Sequence, residues 1–276
     1  MTRILYQFPL SHFAEKGRWL LDAKGLDYQV HNLYPGLHRF YLWPRTRVCT
    51  IPALNDNGKW VGDSTAIALH LDRHYPDMPP LLHADPPLRD TQLAINILAE
   101  RIGEKVRQLV MSHLIDTPIP VAMYFQDAPV SALKRRMAEA TFRAAVKYLY
   151  KAHPRHIPAT RQALAVLLDQ ADALAQSRSS DFMVGDTLSL ADIALCSMLG
   201  PILLPPGTPW SVPDSLDAPA ARDSAAHISP DLLAVQQALR ERPTGQYALH
   251  IYTRHRQATG NWRGHWQPQR NSRLPA

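Results

Sequence analysis

A chain of 276 residues, 46% of them hydrophobic, can bury a substantial core, and its length allows one or two domains. Its two cysteines, Cys49 and Cys196, lie far apart and offer no disulfide framework, which argues against a small extracellular scaffold and for a reducing compartment. The net charge of +6 belongs to the C-terminal end: residues 242–276 hold six arginines, no lysine and no acid, so the body before them is balanced and the overall charge says nothing about its main binding surface.

Met1-Thr2-Arg3 runs straight into the strand-like Ile4-Leu5-Tyr6-Gln7-Phe8 without an apolar leader. No run of about eighteen apolar residues follows anywhere, which predicts a soluble, cytoplasmic protein without a membrane partner. After a Pro9-Leu10 turn, Ser11 precedes a helix whose Phe13, Gly17, Leu20 and Leu21 share one face, with Gly25 as its stop. Tyr28 to Leu33 alternates as a second strand, and a helix between two such strands implies a parallel pair. Pro35 to Arg47 is the least legible stretch, read as a short helix. Ile51-Pro52 opens a hairpin, Ala53-Leu54 and Lys59-Trp60-Val61 around Asn55-Asp56-Asn57-Gly58, and Asp63-Ser64 opens a helix to His74.

Pro76, Pro79 and Pro80 mark a boundary, and beyond them the pattern is helical. Ile95, Leu98, Ala99, Ile102, Val106, Leu109 and Val110 form one apolar stripe. Leu133, Met137, Thr141, Ala144 and Tyr148 form a second, and Leu164, Leu167, Leu168, Ala171 and Leu174 a third. Ser189-Leu190-Ala191-Asp192 has the form of a capping box, whose loss would cost on the order of 1 kcal/mol. Seven prolines from Pro201 to Pro230 forbid a continuous helix and predict a long irregular excursion, which either covers a cleft or wanders over the surface. A helix from Pro230 to Arg240 is expected before Pro243, another from Tyr247 to Arg256, and after them a polar tail without structure.

Strand, hydroxyl, helix, then X-Pro hairpin, then Asp-Ser helix is the order found in the glutathione transferase superfamily, which this chain resembles. Ser11-His12-Phe13-Ala14-Glu15-Lys16-Gly17-Arg18 resembles the segment carrying the catalytic Ser or Cys, Ile51-Pro52 the cis-proline and Asp63-Ser64 the acid-serine pair. The resemblance implies an α/β thioredoxin-like N-terminal domain at residues 1–77 and an all-α helical-bundle C-terminal domain at residues 86–258, followed by a basic, disordered tail at 259–276. It further implies glutathione as co-substrate without a metal, an apolar electrophile as second substrate, and a homodimer.

On this reading the Ser11 hydroxyl and the helix start stabilise a glutathione thiolate, with Tyr6 at the first strand as second choice. Thr50, Ile51 and Pro52 would pair with the backbone of the tripeptide, and Asp63 and Ser64 would take its γ-glutamyl end. Phe13, Met111 and Met123 are expected at the electrophile site, while Arg18, Ser189 and Asp192 are assigned structural roles. His70 and His74 have the i, i+4 spacing of two metal ligands but no third ligand near them, so no metal is expected. Glutathione-dependent isomerisation or dehalogenation, or a binding or scaffold protein without turnover, are the alternatives. Trp262 and Trp266 among the terminal arginines resemble a single-stranded nucleic-acid or membrane-surface binder, a partner disfavoured because the segment lacks an amphipathic period.

Overall fold

The structure is a computed structural model and describes residues 2–117, 119, 132–211, 228–257 and 261–266. The first unit runs β1 (Arg3–Gln7), α1 (His12–Ala23), β2 (Gln29–Asn32), α2 (His38–Thr46), β3 (Ala53–Asp56), β4 (Lys59–Gly62) and α3 (Ser64–His74). In the sheet, β1 pairs parallel with β2, Leu5 opposite Val30, and antiparallel with β3, Leu5 opposite Leu54. Alternation along the strands divides the side chains between two layers. Leu5 and Leu54 pack with Trp19, Leu20, Ile67 and Leu71 of α1 and α3, whereas Tyr6 and Ala53 face Leu33 and Leu42 on the α2 side.

The second unit contains α4 (Pro86–Leu114), α5 (Ala132–Leu149), α6 (Ile157–Ser177), α7 (Leu190–Leu203), α8 (Pro230–Glu241) and α9 (Pro243–His255). The helix α7 is predominantly apolar on every side and buried at every position but Pro201, packed among α1, α4 and α9. Gly103 on α4 permits the close approach, since a Cβ there would run into Met198 of α7. Asp192 anchors the start of α7: its carboxylate accepts from Ser189 N at 2.8 Å, from Met183 N at 2.7 Å and from the Tyr247 hydroxyl. No helix among the described residues is long and apolar enough to cross a membrane.

Three expectations need correction. The stripe Leu133, Met137, Thr141, Ala144, Tyr148 is not the buried face of α5: Met137 is 65% and Tyr148 84% exposed, and the helix buries Phe142 and Val146 instead. Both faces carry apolar residues at helical spacing, so period alone did not choose between them. Pro243 does not merely end a helix but begins α9, where its missing N–H would have had no intrahelical partner.

The third correction concerns the tail, because residues 261–266 are built into the first unit. The short strand β5 (His265–Trp266) pairs parallel with β2, which extends the sheet to the order β4-β3-β1-β2-β5. Gly264 has φ +56, and a Cβ there would meet Val30 and Asn32 at 2.8–2.9 Å, so only glycine lets the chain lie this close to β2. Gln7 Nε2 donates to Trp262 O at 2.7 Å, and Asn32 Nδ2 to Arg263 O at 2.6 Å. Arg256 Nε reaches Glu15 at 2.7 Å and its Nη1 reaches Asp22 at 2.6 Å, both on α1. The attachment is made by backbone groups and buried charges, which is why hydrophobic patterning did not reveal it.

Burial alone would raise the Glu15 carboxyl, but the guanidiniums of Arg256 and Arg18 hold it down at about 2. A carboxyl depressed in the folded state contributes stability that is present above its ordinary value of 4.5 and lost as pH falls toward 2. Arg256→Ala, which removes one of the two guanidiniums that hold the buried Glu15 carboxylate and leaves it to Arg18 alone, is expected to cost about 3 kcal/mol in urea unfolding at neutral pH. Its stability should also fall less steeply than the parent's between pH 4.5 and 2. A loss under about 1 kcal/mol with an unchanged acid profile would contradict this role for the pair.

Candidate functional site

The chain leaves β1 at Gln7, turns through Phe8-Pro9-Leu10, and reaches Ser11 with extended backbone angles as the N-cap of α1. Ser11 Oγ accepts from Ala14 N at 3.3 Å, so the hydroxyl is occupied as an acceptor while its proton stays available to a further partner. The Ile51–Pro52 peptide is cis, and Pro52 packs against α1 at Gly17, where a Cβ would come within 3.1 Å of the ring. Asp63 has φ +74, a strained conformation for a residue with a side chain. Its Oδ1 caps α3 by accepting from Thr65 N at 2.8 Å and Ala66 N at 3.1 Å, and no hydrogen bond among the described residues reaches Oδ2. Next to it Ser64 is 1% exposed, and its Oγ has no hydrogen-bond partner among the described residues.

These positions surround one cavity of about 710 Å³ between the first unit and the helices. Ser11, Thr50, Ile51, Asp63, Phe13 and Met111 line it; Pro52 and Ser64 follow directly on lining residues. Tyr6 does not line it, being buried on the α2 side of the sheet, stacked on Trp60 at 4.9 Å between centroids and edge-on to His31. Arg18 is fully buried, with Nη2 2.6 Å from Glu15, and Ser189 and Asp192 belong to the cap of α7. Met123 lies outside the described residues.

Several lining residues were not singled out from the sequence. Glu100 on α4 meets Lys16 Nζ at 2.9 Å and Thr65 Oγ1 at 2.7 Å, at the α3 end of the cavity. Arg107 lies seven residues further along α4, its guanidinium 4.0 Å from the Tyr150 ring centroid and 5.6 Å from that of Phe13. The signal was present: Glu100, Glu104, Arg107, Met111 and Leu114 follow helical spacing as a second face beside the core stripe. His38 and Arg39 come from α2, the stretch whose sequence said least. Burial, and then the charge of Arg107, lower His12 to about 3; burial, and then Arg39, lower His38 to about 4. Both imidazoles are neutral at pH 7, so the cations lining the cavity are Arg39 and Arg107 among the described residues.

The described start of the proline-rich excursion bears on the cavity too. Trp210 is buried with Leu10, Ile115, Phe142 and Val146, and its Nε1 donates to Leu10 O at 3.1 Å. Pro201, Leu204 and Trp210 are thus part of the wall rather than a surface wandering. Residues 212–227 of the excursion fall outside the described residues.

Residues 5–81 match the family model described as the glutathione S-transferase N-terminal domain. That stretch of the chain is similar to this domain over nearly all of the first unit. Solved glutathione transferases share the fold over both domains. GSTFuA3 from Phanerochaete chrysosporium is 19% identical over 92% of this chain and 96% of its own, with a TM-score of 0.62. A glutathione S-transferase from Rhodospirillum rubrum F11 is 22% identical over 90% and 92%, at 0.54. One from Methylobacterium radiotolerans, in complex with glutathione sulfonate, is 22% identical over 90% and 95%, at 0.50. No curated protein sequence matches the chain. The architecture is therefore that of a glutathione transferase, a thioredoxin-like sheet domain followed by a helical domain.

Within this glutathione transferase fold the cavity wall at Trp210 rests on Gly200, where a Cβ would run into the indole ring. Gly200→Ala is expected to displace Trp210 and cost about 1–3 kcal/mol by overpacking. Near-UV circular dichroism should show the altered indole environment together with a lower urea midpoint. An unchanged spectrum and midpoint would remove Trp210 from the wall.

Proposed function

We propose that the protein is a serine-using glutathione transferase, which activates the glutathione thiolate for attack on a small apolar electrophile. The observation that carries this reading is the buried Ser64 hydroxyl at the start of α3, unpartnered among the described residues and directly after Asp63, which lines the same cavity as Ser11 and Ile51. A buried hydroxyl without a partner is costly, and a γ-glutamyl carboxylate seated at the helix start would supply its acceptor. The free Oδ2 of Asp63 then meets the γ-glutamyl ammonium. Glu100, paired with Lys16, lies at the same end, and the half-buried Ile51, which lines the cavity, would offer its backbone as a short strand-like pairing to the cysteinyl residue.

An ordinary thiol has a pKa near about 8.5 and is mostly protonated at neutral pH. A thiol held at Ser11 would receive the hydroxyl proton as a hydrogen bond and the partial positive charge of the α1 start, both of which favour the thiolate. No cysteine stands at Ser11 to Ala14, so exchange through an enzyme mixed disulfide has no reagent at that position. Isomerisation or dehalogenation would proceed from the same bound thiolate and differ only in what the electrophile does next. A homodimer belongs to this reading, and sedimentation equilibrium would test it.

Ser64→Ala should weaken glutathione binding about ten- to a hundredfold, the worth of a charge-assisted hydrogen bond, and leave the saturated rate nearly unchanged. Unchanged affinity with a collapsed rate would overturn the assignment of Ser64. For Ser11→Ala the expected result is the reverse: near-parental glutathione affinity below the thiol pKa, a raised bound-thiol pKa, and a rate loss that recovers as pH rises. Each unit of that pKa rise corresponds to about 1.4 kcal/mol. If the bound-thiol titration overlays the parent's, Ser11 is a helix cap and nothing more.

A further inference from the structure

Arg107 is the cavity residue that the proposed chemistry leaves unused. Its guanidinium lies against Tyr150 and Phe13, and its Nε is buried without a hydrogen-bond partner among the described residues. None of the ion pairs among the described residues involves it. Two aromatic faces offset part of the cost of keeping a cation in such a wall, but they leave its hydrogen-bonding fork unfilled by any of the described residues. The nearest comparable charge on its own helix, Glu104, is exposed one turn away and makes no ion pair with it. Of the imidazoles lining the cavity, His12 and His38 are neutral at pH 7 and do not compete for an anion.

Position along α4 decides which anion Arg107 can serve. Glu100, which meets Thr65 of α3, marks the end where the γ-glutamyl group is placed. Seven residues separate it from Arg107, a rise of roughly 10 Å. Beyond Arg107 the same face carries Val110, Met111 and Leu114 and meets Phe142 and Trp210. Phe13, under the guanidinium, is two residues from Ser11. The second carboxylate of glutathione, on its glycine, has Arg39 of α2 available. Arg107 therefore stands between the thiol position and the apolar end.

We propose that the acceptor substrate is an apolar, ring-sized electrophile bearing one carboxylate, which Arg107 holds while the body fills the space between Met111, Phe142 and Trp210. This rests on the glutathione reading for the chemistry, though not for the binding of the acid. The test compares chlorodinitrobenzene with chlorodinitrobenzoate as acceptors. In both, the glutathione sulfur bonds to the ring carbon that bears chlorine, chloride leaves, and the thiol proton passes to solvent.

Arg107→Gln should raise KM for the benzoate about ten- to a hundredfold, the loss of one charge-assisted contact. It should leave KM for the neutral acceptor and the glutathione Kd within about twofold, and Arg107→Lys should recover part of the benzoate effect. Equal changes for both acceptors, or a fall in glutathione affinity instead, would overturn the proposal. If the parent turns over neither acceptor, the glutathione reading fails, and calorimetry with the unreactive pair methyldinitrobenzoate and dinitrotoluene decides Arg107 alone. Preference for the acid in the parent that disappears in Arg107→Gln supports the assignment; equal binding of the two by the parent contradicts it.

Discussion

The helix α1 buries three charged side chains within four positions, and the placement of everything around the cavity depends on how they are paired. Glu15, Lys16 and Arg18 are each at most 2% exposed. Arg18 is held by Glu15 and by the Gln7 side chain of β1; Glu15 is held in turn by Arg256; Lys16 Nζ meets Thr65, Asn96 and Glu100 at 2.6–2.9 Å. One helix is thereby fixed to the sheet, to α3, to α4 and to the C-terminal segment. Burial drives the Lys16 ammonium below its ordinary value against the pull of Glu100, so the site tolerates this charge only because its partners are in place. Ser11 sits at the end of that helix, and its position is a consequence of the pairing.

The second consequence is that the C-terminus belongs to the first domain. Arg256, Asn261 and β5 reach back across the chain to Asp22, Tyr28 and β2, and Asn261 Nδ2 donates to both Asp22 at 3.0 Å and the Tyr28 hydroxyl at 2.7 Å. An exposed β2 edge would be a template for pairing with another chain, and β5 covers part of it. The arginines that made the sequence look as though it ended in a basic arm include one that is almost wholly buried.

Much of the fold was legible because local signals agreed with one another. The alternation of β2, the Asn-Gly hairpin, the cap at Asp63 and the stripe on α4 each name a specific element, and the order of the first three joins them into one domain. What was not legible depends on contacts distant in sequence. Nothing local to Glu100 or Lys16 shows that they meet, and Trp210 within a proline-rich stretch gives no hint that it closes against Leu10. The two apolar faces of α5 were indistinguishable by period, and β5 is too short and too polar to carry a strand pattern. Of the site, the residues at helix starts were readable because caps have a chemistry of their own, whereas Arg107 and Arg39 needed the cavity to be seen.

The account's central claim is that the buried charges of α1 deliver a hydroxyl and a helix start to a bound thiol. Titrating the thiolate absorbance of glutathione bound to the unaltered protein tests it most directly. The account predicts an apparent thiol pKa at least about one unit below the ordinary value near 8.5, with binding persisting on both sides of the transition. A bound thiol that titrates at the same pH as free glutathione would contradict it.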